Sequence, residues 1–335
     1  MGKWKVFAVC VLTTLLAATG CKSSTQDSSA KADSAPSGAR IGDFSGDSAY
    51  AHVAAQVAFG PRVPGTPGHD ACREYIISRL RAYGADTVIV QEAAVKAYTG
   101  DMLPISNIIA QYNRANTRRI LLAAHWDTRP WADQDDNAAD RDKPIPGAND
   151  GASGVGVLLE IARNFAARQP GVGVDLIFFD AEDYGRSGGF YNHNDTWCLG
   201  SQHWAATKVP YTSGNLPVYG ILLDMVGGRD ARFHYEAFAH ENAPTPCLKV
   251  WSEAKRLGYG DMFINSIGGA IIDDHVILTR AGIPTADIIE LNNEVTSSFP
   301  PTWHTLDDNL EHIDPHVLDA VGQTVLNVAY NEKTF

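Results

Sequence analysis

The stretch "VDLIFFDAED", residues 174–183, is an almost continuous apolar run of strand length that stops on three acids, Asp180, Glu182 and Asp183. A run with no polar alternation suits a strand buried on both faces, as in a parallel sheet whose two sides are covered by helices. "VYGILLDMVGG" (218–228) repeats the pattern and ends on Asp224, and "RILLAAHWD" (119–127) ends on His125 and Asp127. "NIIAQY" (107–112) and "IPTADIIE" (283–290) are further short apolar strands.

Helical spacing separates these runs. "DACREYIISRLRAYG" (70–84) places Tyr75, Ile76, Leu80 and Tyr83 at helical intervals and closes on a glycine. "GVGVLLEIARNFAARQ" (154–169) reads as a helix opening at Asp150 to Ser153. "SEAKRLGYG" (252–260) ends another helix, and "DDHVILTRAG" (273–282) and "DPHVLDAVGQTVLNVAY" (314–330) supply two more. Strands interleaved with helices predict an α/β domain of three layers, α/β/α, around a mixed, largely parallel central sheet. Its long loops fall at 127–149, 184–199 and 290–303.

In open α/β sheets ligands bind outside the carboxyl ends of the strands. His125, Asp127, Asp180, Glu182, Asp183 and Asp224 follow strands directly, Asp150 and the pair Asp273-Asp274 start helices, and His304 follows the last strand. One such residue alone is ordinary: a histidine at a strand end is usually structural, and Asp150 could simply cap a helix. Gathered on one rim, these acids would repel one another unless a cation neutralised them. Mixed carboxylate and imidazole donors suit zinc, with three protein ligands and an open fourth position.

The chain's 335 residues, 44% apolar and 20% charged, suffice for a large packed core. Lys3 and Lys5, the apolar "VFAVCVLTTLLAA" (6–18) and small residues before Cys21 read as a secretory signal. The placement of Cys21 resembles a bacterial lipoprotein processing site, implying a signal peptide over 1–20, a lipid on Cys21, and export to the periplasm or outer membrane. Residues 21–40 have no large apolar side chain and read as a flexible tether, leaving 41–335 as the catalytic domain. Cleavage would take the net charge from −12 to −14, which argues against nucleic acid and against an anionic bilayer as partners. The membrane is expected only through the lipid, and a monomer is the expected state. Cys72, Cys198 and Cys247 form no C-x-x-C pair; one disulfide among them is open. "GRSGG" (185–189) satisfies G-x-S-x-G but lacks a following helix, and no H-E-x-x-H occurs.

Taken together, "HWD" (125–127), "GANDGASG" (147–154), "DAED" (180–183), "LLDM" (222–225) and "WHT" (303–305) resemble the M28 zinc aminopeptidase family. "IIDDHVILTRAGIP" (271–284) followed by "FPPTWHTLDDNLEHID" (299–314) is more similar to the glutaminyl cyclases built on that fold, notably bacterial ones. The resemblance implies one zinc held by Asp150, Asp183 and His304, with Glu182 as general base. It implies Asp224 and Asp273 as two acids sharing a hydrogen bond, and Trp303 as a pocket wall. The implied reaction converts the N-terminal glutamine of peptides or proteins to pyroglutamate with release of ammonia.

Two departures stand out: Asp183 is one methylene shorter than the family's glutamate, and Asp287 stands where the cyclases carry a histidine. The loop "LNNEVTSSFPP" (291–301) is also longer. The alternatives are an aminopeptidase of the same fold, with His125 and Asp224 on a second zinc and Asp150 bridging, and an inactive peptide-binding lipoprotein.

Overall fold

The parallel runs become the centre of one sheet. The computed structural model describes residues 38–188, 193–211 and 215–333; the expected signal peptide, Cys21 and most of the tether lie outside them. In chain order the elements are α1 (Gly46–Val57), α2 (Pro67–Ala82), β1 (Thr87–Lys96), β2 (Met102–Tyr112), β3 (Arg119–His125) and α3 (Ala152–Ala167). Then follow β4 (Gly173–Phe179), α4 (Leu199–Thr207), β5 (Gly220–Asp224), β6 (Phe233–Tyr235), α5 (Ala237–Asn242) and α6 (Pro244–Leu257). The chain closes with β7 (Phe263–Ile267), α7 (Asp274–Arg280), β8 (Thr285–Ile289) and α8 (Pro315–Asn331).

The main sheet has the order β1-β2-β4-β3-β5-β8. β4, β3, β5 and β8 run parallel, while β2 is antiparallel to both β1 and β4. Every residue of the four parallel strands is buried, as their unbroken apolar runs require. Side-chain alternation sorts them onto two cores. Ile120, Leu122 and Ala124 join α1, α2, α3, α6 and α8 on one face; Leu121 and Ala123 meet Trp204 of α4 and Leu278 of α7 on the other. A three-layer α/β/α arrangement results.

Asp175, the charge inside β4, is fully buried and takes a bidentate pair from Arg119, Nε to Oδ2 at 2.8 Å and Nη2 to Oδ1 at 2.6 Å. Gln111 and the Tyr211 hydroxyl donate to the same carboxylate, so the buried charge is fully satisfied.

From β3 the chain passes to β4 on one side and then to β5 on the other. At such a reversal adjacent connections leave in opposite directions and open a crevice at the carboxyl ends. α3 can lie close beside it because Gly154 approaches Leu223 O of β5; a Cβ there would sit 2.3 Å from that oxygen. At the other end of the described chain, Gly38 N donates to Arg256 O at 2.6 Å and Arg40 pairs with Asp319 at 2.7 Å. These last residues of the expected tether therefore pack on the domain. Cys72, Cys198 and Cys247 are buried and unpaired, so no disulfide forms among them.

Candidate metal centre and pocket

Three tight turns at the carboxyl edge aim the candidate side chains. Asp150 closes the loop after β3, and its backbone N–H and that of Asn149 donate to the Asp308 carboxylate at 3.0 and 2.7 Å. The next residue, Gly151, is the N-cap of α3 with φ +86° and receives no side-chain cap. Asp150 therefore does not cap the helix: its backbone is pinned by Asp308 and both its oxygens turn inward. Oδ1 lies 3.0 Å from His125 Nε2 and Oδ2 lies 3.7 Å from His304 Nε2.

The second turn follows β4 and splits the acids of residues 180–183. Ala181 adopts φ +49°, and the buried Asp127 carboxylate accepts the N–H groups of Glu182 and Asp183 at 3.0 and 3.2 Å. Asp180 turns away to His69 Nε2 and Ser106 N, so it is structural. Asp183 Oδ1 reaches His304 Nε2 at 3.0 Å, and its other oxygen is buried without a partner. Glu182 faces the cavity, where Oε1 accepts from the Cys198 thiol at 3.2 Å.

The third turn puts His304 at φ +56°, its ring stacked on Trp303 at 3.7 Å and facing Trp197 at 6.0 Å. Trp303 stacks in turn on Phe299. All four rings line a cavity of about 230 Å³ together with Glu182, Asp224, Asp273 and the apolar Met225, Ile271 and Ile289.

Asp150, Asp183 and His304 each offer a donor atom within 4.8 Å of the others. Donors of a tetrahedral zinc, each about 2.0–2.2 Å from the metal, sit about 3.3–3.6 Å apart. The distances of 3.0 and 3.7 Å around His304 Nε2 bracket that value, and the orphaned Asp183 oxygen supplies spare coordinating capacity. The trio fits zinc, and the shorter Asp183 reaches it. His125, Asp150 and Asp224 form a second such group, with His125 Nε2 at 3.0 and 3.1 Å from the two acids.

Crowding sets the protonation. Burial, reinforced by the charge of Asp273, pushes the Glu182 carboxyl well above the usual range. Burial and then the Asp224 charge raise Asp273 to about 7. Burial alone would lower His125, but Asp224, Asp127 and Asp150 outweigh it and raise it well above its ordinary value.

Asp224 and Asp273 line the same cavity, and each has one oxygen engaged by another group. Asp224 Oδ1 is taken by His125 Nε2 at 3.1 Å, and Asp273 spends Oδ1 on the N–H of Asp274 at the start of α7, leaving Oδ2 buried and unpartnered. Asp274 is fully buried and accepts from Ser201. Asp287 lies behind this group with its Oδ2 3.2 Å from His275 Nδ1, while His275 Nε2 meets Glu236 at 2.9 Å. Ser187, from the G-x-S-x-G match, accepts from Arg129 instead of meeting a base.

Sequence reasoning passed over Asp308, Cys198, Arg129, Asp133 and Trp197. The signal for two of them was present: Arg129 and Asp133 lie four apart, beside tryptophans, in a long loop already marked as functional.

Residues 107–329 match the model of peptidase family M28. The crystal structure of Bacteroides thetaiotaomicron glutaminyl cyclase bound to N-acetylhistamine is similar at a TM-score of 0.83 and 51% identity, covering 88% of this chain and 100% of that one. A structure from the same organism described as a leucine aminopeptidase precursor is similar at 0.82 and 50%, over 88% and 100%. Glutaminyl-peptide cyclotransferase of Bos taurus is 28% identical over 297 residues, 78% of this chain and 76% of its own.

Proposed function

The chain belongs to peptidase family M28 and, within it, to the glutaminyl cyclases, and from that membership we propose that it converts the N-terminal glutamine of peptides to pyroglutamate at one zinc held by Asp150, Asp183 and His304. The observation that carries the reading is Glu182: a carboxylate next to the ligand trio, paired with no cation among the described residues, facing the same cavity. When bound, zinc polarises the γ-carboxamide carbonyl as a Lewis acid.

The chain's own groups do the rest. Glu182 takes a proton from the substrate α-amine as that nitrogen bonds to the γ-carboxamide carbon. That bond closes the five-membered ring; Glu182 then returns the proton to the amide nitrogen, whose bond to the same carbon breaks as it leaves as ammonia, restoring the carbonyl of the lactam. A carboxyl raised by burial is suited to both halves of that shuttle. Asp273, poised near 7, and Asp224 face the same cavity and steady the polar groups of the reacting centre. Trp303 and Phe299 wall the glutamine side chain and exclude water.

Glu182→Gln should lower turnover by roughly 10² to 10⁴ with zinc retained. The assay is ammonia release from a glutamine-starting peptide, run beside a metal count; near-native turnover at full zinc loading removes Glu182 from the mechanism. One observation favours the peptidase reading, the second trio of His125, Asp150 and Asp224. Two zinc ions per chain with release of free amino acids would establish it. We also propose export and lipidation at Cys21, supported by the basic and apolar start of the chain; lipid labelling that persists in Cys21→Ser would refute it.

A further inference from the structure

Arg129 is a guanidinium with 1% exposure, and it uses every N–H it has. Nε and Nη2 form a fork on Asp133 at 2.8 and 2.7 Å; Nη1 donates to Asp183 O at 3.0 Å and Gly185 O at 3.1 Å; Nη2 also donates to Ser187 Oγ at 2.7 Å. Its face lies 4.9 Å from the Trp197 ring centroid and 5.5 Å from that of Trp131. Asp133, held by this fork, presents Oδ1 3.4 Å from His304 Nδ1, a buried nitrogen that makes no hydrogen bond and has this carboxylate as its near neighbour. One side chain thus reaches two members of the ligand trio and one wall of the pocket.

We propose that Arg129, acting with Asp133, is the positioning residue of the metal centre: it fixes Asp183 through its main chain, orients His304 through Asp133, and holds Trp197 flat beside the cavity. A carboxylate on the far nitrogen of a ligating imidazole fixes its tautomer and raises its basicity, and losing such a partner typically costs 10- to 100-fold in metal affinity. The backbone of Asp183 is gripped from both ends, by Asp127 on its N–H and by Arg129 on its carbonyl. That grip answers how an aspartate does a glutamate's work here: the shorter side chain leaves less slack, so its main chain must be held more firmly. Lysine cannot substitute. Its ammonium keeps the charge but has three donors and no planar fork.

The inference rests on the zinc assignment above, so the test separates the two. Zinc dissociation constants are measured on the full chain by competition with a chromophoric chelator, for Asp150→Ala, Arg129→Lys and Asp133→Asn. KM for a glutamine-starting peptide is measured under saturating zinc, and thermal midpoints are taken without zinc. Asp150→Ala should abolish tight binding; if it does not, the metal centre is misassigned and both readings fall. Arg129→Lys and Asp133→Asn should each raise the zinc dissociation constant by about 10- to 100-fold. KM should rise in Arg129→Lys, which frees Trp197, and stay near native in Asp133→Asn. If Asp150→Ala loses zinc while both other variants bind it within about threefold of the native chain, this inference alone is overturned, even where their thermal midpoints drop. Asp133→Asn is isosteric, so the test stands if Arg129→Lys does not fold.

Discussion

Replacing Gly151 by alanine tests whether the loop before α3 exists to hold Asp150 in place. Gly151 sits at φ +86°, ψ −48°, a region that side chains attached to an L-centre scarcely visit. A Cβ there would lie 2.8 Å from Asp127 O and 3.0 Å from His125 Cε1, where ordinary contact begins at 3.4 Å. The backbone must therefore retreat by about 0.6 Å, since repulsion at such a contact is steep. Neither neighbour yields: Asp127 is pinned to the turn after β4, and His125 lies against Asp150 and Asp224. Backbone strain of this kind costs about 1–3 kcal/mol. The larger effect falls on the metal, because zinc–ligand distances tolerate only about 0.2 Å and Asp150 is the adjacent residue. We expect a zinc dissociation constant at least ~10-fold above native, in line with disturbed ligand orientation. Gly100→Ala is the control, with φ +97° and nothing within 4 Å of its Cβ; it should lose stability and keep its zinc affinity. Native zinc affinity in Gly151→Ala would refute the reasoning.

Other perturbations act away from the ligand trio. Asp175→Ala leaves the Arg119 guanidinium buried without its carboxylate and should cost about 3–5 kcal/mol in urea unfolding, whereas a joint apolar replacement of the pair should cost much less. His52 is driven down to about 4 by burial, with Arg79 and Arg163 adding to the effect, so it stays neutral in the fold while the unfolded chain protonates near 6.5. Stability should then be complete above pH 6.5 and decline as pH falls toward 4, by up to about 3 kcal/mol; His52→Gln should flatten that slope, and an unchanged slope would show the group is not responsible. Cys198→Ala removes the thiol that donates to Glu182 and should leave zinc binding intact while lowering turnover about 2- to 10-fold, the worth of one hydrogen bond. A drop in zinc affinity in that variant would instead give Cys198 a role in the metal centre.

The architecture and the strand-end acids of the cavity were legible in the chain itself. Unbroken apolar runs can be buried only between two helical layers, and parallel strands must deliver whatever follows them to one rim. Hence the placement of Glu182, Asp183 and Asp224 could be foreseen from 174–183 and 218–228 alone. β1 could not be read as easily: on the edge of the sheet its first four residues are all half-buried and only Glu92 to Lys96 alternate between exposed and half-buried, so composition carries little signal.

What only the folded molecule decided is which way each polar side chain turns. Asp180 and Asp183 are three positions apart with the same chemistry, yet one serves His69 and the other His304, because Ala181 swings the backbone through a left-handed turn between them. Asp150 could be a helix cap by position, but Gly151 takes the N-cap place and the Asp150 N–H donates to a carboxylate 158 residues away. Strand period and burial are local properties and survive in sequence; the direction of a carboxylate depends on partners brought together only by the tertiary contacts, and no spacing rule encodes them.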